Sequence, residues 1–551
     1  MIHPRIRIAT TERVPFALLV IVGSVVVVAL LGRMPLWGIV AAAVVATVAV
    51  TVQVGRRTGV RWLIDRIAYR CGRTHRAREL AAAASIEDVE VAAGVCGVRE
   101  DGTVLVSMVQ LSPNLDLPTV VSSGGLYTED AVSLSTLRPL LDHFGIGVDV
   151  DIVATGRRVR PAGTYSMLYD QLIGSTPAVG ERLTWLVIRL DTARNLAALK
   201  RRGPVAEAGP RALASAAHRI ARRLREAGIT AHPLPATALR EAIRHLHAGV
   251  ELDDLQETWH TIESSVAGRT MTSFLIDWDR FTDGDLDECW SMSPGRTTLV
   301  VSLSGASDRT HALVRFVGPA IGKAQPDFLR ALTGRQFEAL LASLPTATSV
   351  AKLADGEPAN GGVARGAPVD LTVAIGPTGQ ILGAINGQPQ HSLAMVLFDP
   401  AHFNTRHRSI DVRAALPIAQ QIVLRAMVVG ADVEVHTSRP DSWRRLIDAV
   451  ADARSIRLVD DGQIGTTSGS EVRCAPTIAV FDQMAPTTVD APTTVTIEEP
   501  GGARRRTADI TIDQVSATAV DVAIPMRTVR VDLIEPRGET RYLESSNGQA
   551  H

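Results

Sequence analysis

Lysine is almost missing from this chain. Lys200, Lys323 and Lys352 stand beside 54 arginines in 551 residues rich in alanine and valine, an imbalance that reflects codon composition and not chemistry. Cysteine is scarce too. Cys71, Cys96, Cys289 and Cys474 lie far apart with no CxxC pair, which argues against a disulfide scaffold or a cysteine-built metal site and predicts reduced thiols. Aromatic residues make up 4% of the chain and the formal net charge is −1, a balance that fits a packed scaffold. Catalytic signatures are incomplete. The stretch nearest to a phosphate-binding GxxxxGK[ST] loop, GPAIGKAQ at 318–325, is one residue short and has Ala324 where the metal-binding hydroxyl belongs. VSLSG at 301–305 begins with valine where a GxSxG nucleophile elbow needs glycine. His245 and His247 are two apart on a predicted helix, so they face different ways and make a poor metal pair.

What is present is concentrated at the N-terminus. Residues 14–31 and 36–54 carry no formal charge over eighteen and nineteen positions, and a turn holding Arg33 joins them. At helical rise each run spans about 27 Å, close to the hydrocarbon thickness of a bilayer, which predicts a two-helix transmembrane hairpin at 14–54 after a short segment 1–13. Arg5, Arg7 and Arg13 precede the first run and eight arginines from Arg56 to Arg78 follow the second. Basic flanks stay on the cytoplasmic side, so both termini and the body are expected there, anchored to the inner membrane. Gly38, Ala42 and Ala46 have the small-xxx-small spacing that lets membrane helices approach closely, and they are the predicted intramembrane interface. From 55 to 89 a juxtamembrane helix is expected, in which Arg61, Trp62 and Arg66 suit either the lipid headgroup level or a stalk packed on neighbouring subunits. Through Leu80 the charge is about +9, which leaves the body mildly acidic and without a basic stripe for nucleic acid.

The remainder alternates helix and strand, the pattern of an α/β mixed sheet, over 90–345. GVCGVREDGTVLVSMVQL reads as a hairpin about Asp101-Gly102, residues 134–144 as a helix, 148–154 and 184–191 as strands, and 210–228 as a helix with Leu213, Ala217, Ile220 and Leu224 on one face and Gly228 ending it. Another helix follows at 236–247, then strands at 271–277, 297–305 and 311–318. Residues 346–368 lose periodicity and gain glycine and proline, the mark of a linker. A second α/β unit is expected over 369–545: a hairpin at 369–385, a helix interrupted near Pro417, a strand ADVEVHT and a helix RPDSWRRLIDAVAD. Then come a flexible tract repeating APTTV, closing strands, and a polar tail at 546–551.

Two stretches could carry chemistry. Asp277 and Asp279 form a DxD at a predicted strand end, with Asp283, Asp285 and Asp287 behind. Such carboxylates can hold a divalent metal against a nucleotide diphosphate, the reading for a membrane-anchored nucleotide-sugar transferase. The competing reading is a solvated loop in which Asp283 or Asp285 caps the next helix, and Asp149/Asp151 repeat the motif by chance. ADVEVHTSRPDSW resembles a nucleotide-fold strand-to-helix junction without its glycines; Trp443 there packs the helix onto the sheet, the alternative being a partner-binding corner.

The ordered set of a two-span hairpin, the arginine-rich segment, CGVREDGTVLVSMVQL, YSMLYDQLIG with ERLTWLVIRLD, RALASAAHRIARRLREAGI and ADVEVHTSRPDSW resembles EccE, a membrane component of the mycobacterial type VII (ESX) secretion machinery. The resemblance is densest from 90 to 320. It implies a non-catalytic subunit, not an enzyme and without cofactors, in an inner-membrane complex beside EccB, EccC and EccD, of which EccC supplies the ATPase. It brings no residue of known role to this chain.

Overall fold

The computed structural model describes residues 84–543 except 123–124, 162, 266–268, 283, 320–324, 356–365, 369, 401–405, 460–474, 503–506, 526 and 536–537, and before them residues 6–8, 23, 52–54, 57–58 and 66–70. Nearly all of the expected hairpin, with Gly38, Ala42 and Ala46, lies outside the described residues, as do Arg61 and Trp62. No helix among the described residues is long and apolar enough to cross a membrane. The end of the second expected span is corrected: Val52–Val54 is a strand that pairs antiparallel with Ile6–Ile8 and with Arg57–Thr58. The helix expected over 55–89 is helical at 66–70, while its last five residues begin the strand Ser85–Val91. There Val89 and Val91 alternate with charged residues at the two-residue period of a strand and pack against the core.

Seven helices matter below: α1 (Tyr165–Ile173), α2 (Val205–Glu226), α3 (Ala236–Leu246), α4 (Asp285–Ser291), α5 (Gln336–Ala342), α6 (Leu416–Val428) and α7 (Pro440–Val450). They cover two sheets of twelve strands each. The first sheet is antiparallel throughout. Its centre runs Arg296–Ser304, Asp149–Arg157, Glu181–Asp191, Val104–Ser112. These strands are buried on both faces because both faces are covered. Along Val104–Ser112, Leu105, Val109 and Leu111 join the core under α2, and Val104, Val106 and Met108 join the core under α3 and α5. On α2 the stripe Leu213, Ala217, Ile220 and Leu224 is fully buried, and Gly228 at φ +85° ends the helix as expected. Gly97 lets the neighbouring strand pass α3: its N–H reaches Leu234 O at 2.7 Å, and a Cβ there would lie 2.7 Å from the Ala236 nitrogen.

Six strands of the second sheet are parallel, in the order Ile456–Leu458, Val433–Thr437, Ile478–Asp482, Thr493–Glu498, Arg408–Arg413, Ile510–Ser516; the rest is antiparallel. It draws on both sides of 346–368, because its antiparallel edge is Thr119–Ser122 and Gly125–Tyr127, and α1 lies in its core. Several local expectations are corrected. Residues 134–144 are helical only at Leu134–Leu137 and in a 3₁₀ turn, Arg138–Leu140, that contains Pro139; Asp142–His143 and Ile146–Gly147 then form a hairpin. Thr372–Ala374 pairs with Ala131–Ser133 and not with Gln380–Ile385, so 369–385 is no hairpin. Pro417 stands in the first turn of α6, where its missing N–H costs nothing, and does not interrupt it. The second APTTV copy enters the buried parallel strand Thr493–Glu498, and within 346–368 Val350–Asp355 is a helix whose Val350 and Leu353 are buried.

Candidate functional site

The DxD pair sits where the strand Thr270–Ile276 ends. Asp277 accepts a hydrogen bond from the Asp279 N–H at 3.3 Å, a local Asx-type turn, and its own N–H goes to Phe328 O at 2.8 Å. Asp285 does not cap α4. The cap is Gly284 at φ +95°, and the Asp285 carboxylate reaches back to accept from the Thr282 N–H (2.7 Å) and hydroxyl (2.8 Å). Asp287 is raised above its usual carboxylate range by burial, against the pull of Arg182. No group of three or more His, Cys, Asp or Glu among the described residues could hold a metal ion. Asp149 and Asp151 are consumed as well: Asp149 takes both oxygens to Arg194 at 3.0 Å, and buried Asp151 pairs with Arg189.

At the strand-to-helix corner Trp443 is fully buried in α7, as its place in the sequence predicts. Its indole N–H donates to Asp482 Oδ2 at 2.7 Å. The same carboxylate accepts from Arg439 Nε and Nη2 (2.9 and 2.8 Å) and from the Thr437 hydroxyl (2.7 Å). Open α/β sheets bind ligands at the carboxyl ends of parallel strands. Here that position on strand Ile478–Asp482 is filled by the chain's own side chains.

A recess of about 860 Å³ opens where the strand Asp149–Arg157, α1 and the end of α3 meet, lined by Arg157, Arg158, Arg160, Arg244, Arg269 and Arg296. Most of these charges are spoken for. Glu181 accepts from Arg157 Nε at 2.6 Å and from Arg296 Nη2 at 3.4 Å; burial raises its pKa, but the two guanidinium groups outweigh this and hold it below the usual range. Arg160 pairs with Asp432 at 2.7 Å and donates to Gly430 O at 3.1 Å, which fastens the first sheet's loop to the turn after α6. Arg158 lies 3.7 Å from Asp170. Desolvation, then Arg296, lower the pKa of neighbouring His245. Sequence reading missed this groove, because its arginines are scattered over 140 positions and no local spacing joins them. Its arginine lining would favour an anionic group by charge.

Comparison with known proteins bears on what such a body is for. Residues 178–276, the heart of the first sheet with α2 and α3, match the model of a family described as a type VII ESX secretion system translocon, EccE. The ESX-2 secretion system protein EccE2 of Mycobacterium tuberculosis is 26% identical over 473 residues, 81% of this chain and 82% of that one. The chain is thus similar to the EccE family along most of its length. Other relatives align over less of their length: the ESX-1 secretion system protein EccE1 of Mycolicibacterium smegmatis is 29% identical over 43% of this chain and 49% of its own, and the ESX-5 secretion system protein EccE5 of M. tuberculosis is 30% identical over 46% and 65%.

In this EccE-like chain the predicted interface residue Arg66 is the one the structure describes, and it meets the chain's own body. Its guanidinium lies 5.0 Å from the Trp259 ring centroid, and the Tyr69 hydroxyl donates to Glu257 O at 2.8 Å. A buried cluster in the second sheet also escaped sequence reading. Arg425 on α6 and Glu539, 1% and 0% exposed at their side chains, pair at 3.3 Å. Tyr165 donates its hydroxyl to the other Glu539 oxygen, and Gln421 Nε2 donates to the first at 2.8 Å. Arg425 Nη1 further donates to Ile381 O and Leu382 O at 3.0 and 3.2 Å. Burial pushes the neighbouring Tyr169 hydroxyl up to about 12.

Proposed function

We propose that this chain is a non-catalytic structural subunit of an inner-membrane ESX protein-secretion complex, tethered by a hairpin within residues 14–51 with its body in the cytoplasm, beside EccB, EccC and EccD. The observation that carries the reading is the identity with EccE2 sustained over four-fifths of both chains. The structure is in keeping with it: charged groups that could do chemistry at Asp277, Asp151, Asp482 and Glu539 are engaged in intramolecular bonds that hold the fold. Nothing in the comparisons supports the sugar-transferase reading. In the bilayer, Gly38, Ala42 and Ala46 form the helix-packing face, and Arg61, Trp62 and Arg66 mark the segment that runs from lipid to body.

Purification of the full chain in mild detergent, with identification of what accompanies it, tests the reading directly. Recovery of the secretion-complex membrane subunits is expected. Gly38→Leu with Ala42→Leu and Ala46→Leu should reduce it severalfold, and recovery of the chain alone would overturn the assembly role. Topology needs a separate probe, since Cys289 is buried and protected. A cysteine placed at exposed Val515 should resist an impermeant thiol label added to intact cells and react once the membrane is opened.

A further inference from the structure

The hairpin Asp142–Gly147 ends in a two-residue turn, Phe144-Gly145, with both residues at positive φ (+50° and +74°). Turns of this shape favour Asn-Gly, and a bulky aromatic residue at positive φ is rare. Phe144 is also 81% exposed, the most exposed of the large apolar side chains among the described residues. A fold that holds a phenylalanine in a strained turn and points it into water gains nothing for its own core. Phe144 stands at one side of a groove of about 590 Å³ whose floor is Ala212 and Ala216 of α2. Arg202, Arg219, Arg222 and Arg225 line the same groove. Three of them hold main-chain carbonyls: Arg202 donates to Phe144 O (3.3 Å), Arg219 to Leu140 O (3.1 Å) and Arg225 to Ala231 O (3.1 Å). Carbonyls fix these guanidinium groups in place without neutralising them. Arg222 lies 3.7 Å from Glu226, an exposed pair worth little, and Asp142 is the other carboxylate at hand. Crowding is felt at His143, where desolvation and then Arg219 and Arg202 lower its pKa.

We infer that this groove on α2 is a docking site for an acidic amphipathic segment of another protein subunit, with Phe144 as its apolar anchor and Arg202, Arg219 and Arg222 meeting its carboxylates. The inference rests on the assembly role proposed above and names the chemistry of one partner. Charge complementarity selects an acidic occupant, and the concave floor of small side chains suits a helix more than the flat surface of a bilayer. Nucleic acid is disfavoured because the groove's rings are Phe144, His143 tilted against it and His218, which form no platform for successive bases.

The test places a photo-crosslinking benzoylphenylalanine at position 144 of the full chain in cells, with position 515 as an exposed control, and sequences the adduct by mass spectrometry. The expected adduct is a segment of another subunit with net negative charge and apolar residues at helical spacing. Arg219→Glu with Arg222→Glu should lower its yield about tenfold while leaving the thermal transition unchanged. Should that double variant fold poorly, the unaltered arginines give a second reading: adduct yield in isolated membranes should fall as salt is raised from low to molar concentration. An adduct with lipid, an adduct with a neutral or basic segment, indifference to charge reversal and salt, or no adduct above the control would each overturn the inference. If position 144 yields nothing while the same chain still brings down the complex, the docking face is wrong and the assembly role stands.

Discussion

Arg425 and Glu539 are 114 residues apart and are buried together. A buried ion pair adds little over a well-packed apolar substitute, but removing one partner strands the other charge. Glu539→Gln is therefore expected to destabilise the protein by about 3–5 kcal/mol, read as a lowered midpoint of chemical unfolding in mild detergent. His247 gives a pH-dependent counterpart. Desolvation first, then Arg315 and Arg99, lower its pKa from 6.5 to about 4. Between those values the unfolded chain binds a proton that the folded chain refuses. This contribution to stability is thus whole above pH 6.5 and is lost as the pH falls toward 4, on the order of 3 kcal/mol at most. His247→Gln should flatten that stretch of the stability-against-pH curve relative to the unaltered protein; parallel curves would refute the assignment. Neither residue announces its role in the sequence, where Glu539 lies in a polar stretch and His247 near a helix end.

Among elements, the corner Thr437–Trp443 shows what a local pattern can and cannot reveal. A strand ending in His-Thr, then Arg-Pro and a helix with tryptophan in its first turn, is enough to place Trp443 against the sheet. Its hydrogen-bond partner, Asp482, follows 39 residues later and is recognisable only once the strands lie side by side. Trp443→Phe keeps most of the ring and loses the 2.7 Å bond, so a cost of about 1–2 kcal/mol is expected, against about 3–5 kcal/mol for Trp443→Ala. Equal losses in thermal or urea unfolding would mean that the bond adds nothing. The strands and helices of the first sheet were largely legible because their periods are clean. Among the misread segments, 134–144, 369–385 and 493–498 are ones in which proline, glycine or threonine weakens the period and a distant strand makes the decision.

For the whole molecule the decisive fact is that the second sheet is not built from the second half of the chain alone. Thr119–Ser122 pairs with Gln388–Met395, and Tyr165 and Tyr169 of α1 sit fully buried in that sheet's core. A fragment of residues 369–551 lacks all of these. It is expected to be unfolded or aggregated when expressed alone, whereas a fragment of residues 80–551 should give a single cooperative unfolding transition. A soluble, folded 369–551 fragment would show that the interleaving is dispensable.

By itself the sequence determined which segments are strands and helices wherever side chains repeat every two or every 3.6 residues, since that period alone decides which face is buried. It also showed that the ordinary catalytic spacings are incomplete, because those are short-range patterns. Only the tertiary structure decided which strands share a sheet, which carboxylate each arginine meets, and which phenylalanine is left in water. Those outcomes depend on pairings between residues tens to hundreds of positions apart, and no local window of the chain contains both partners.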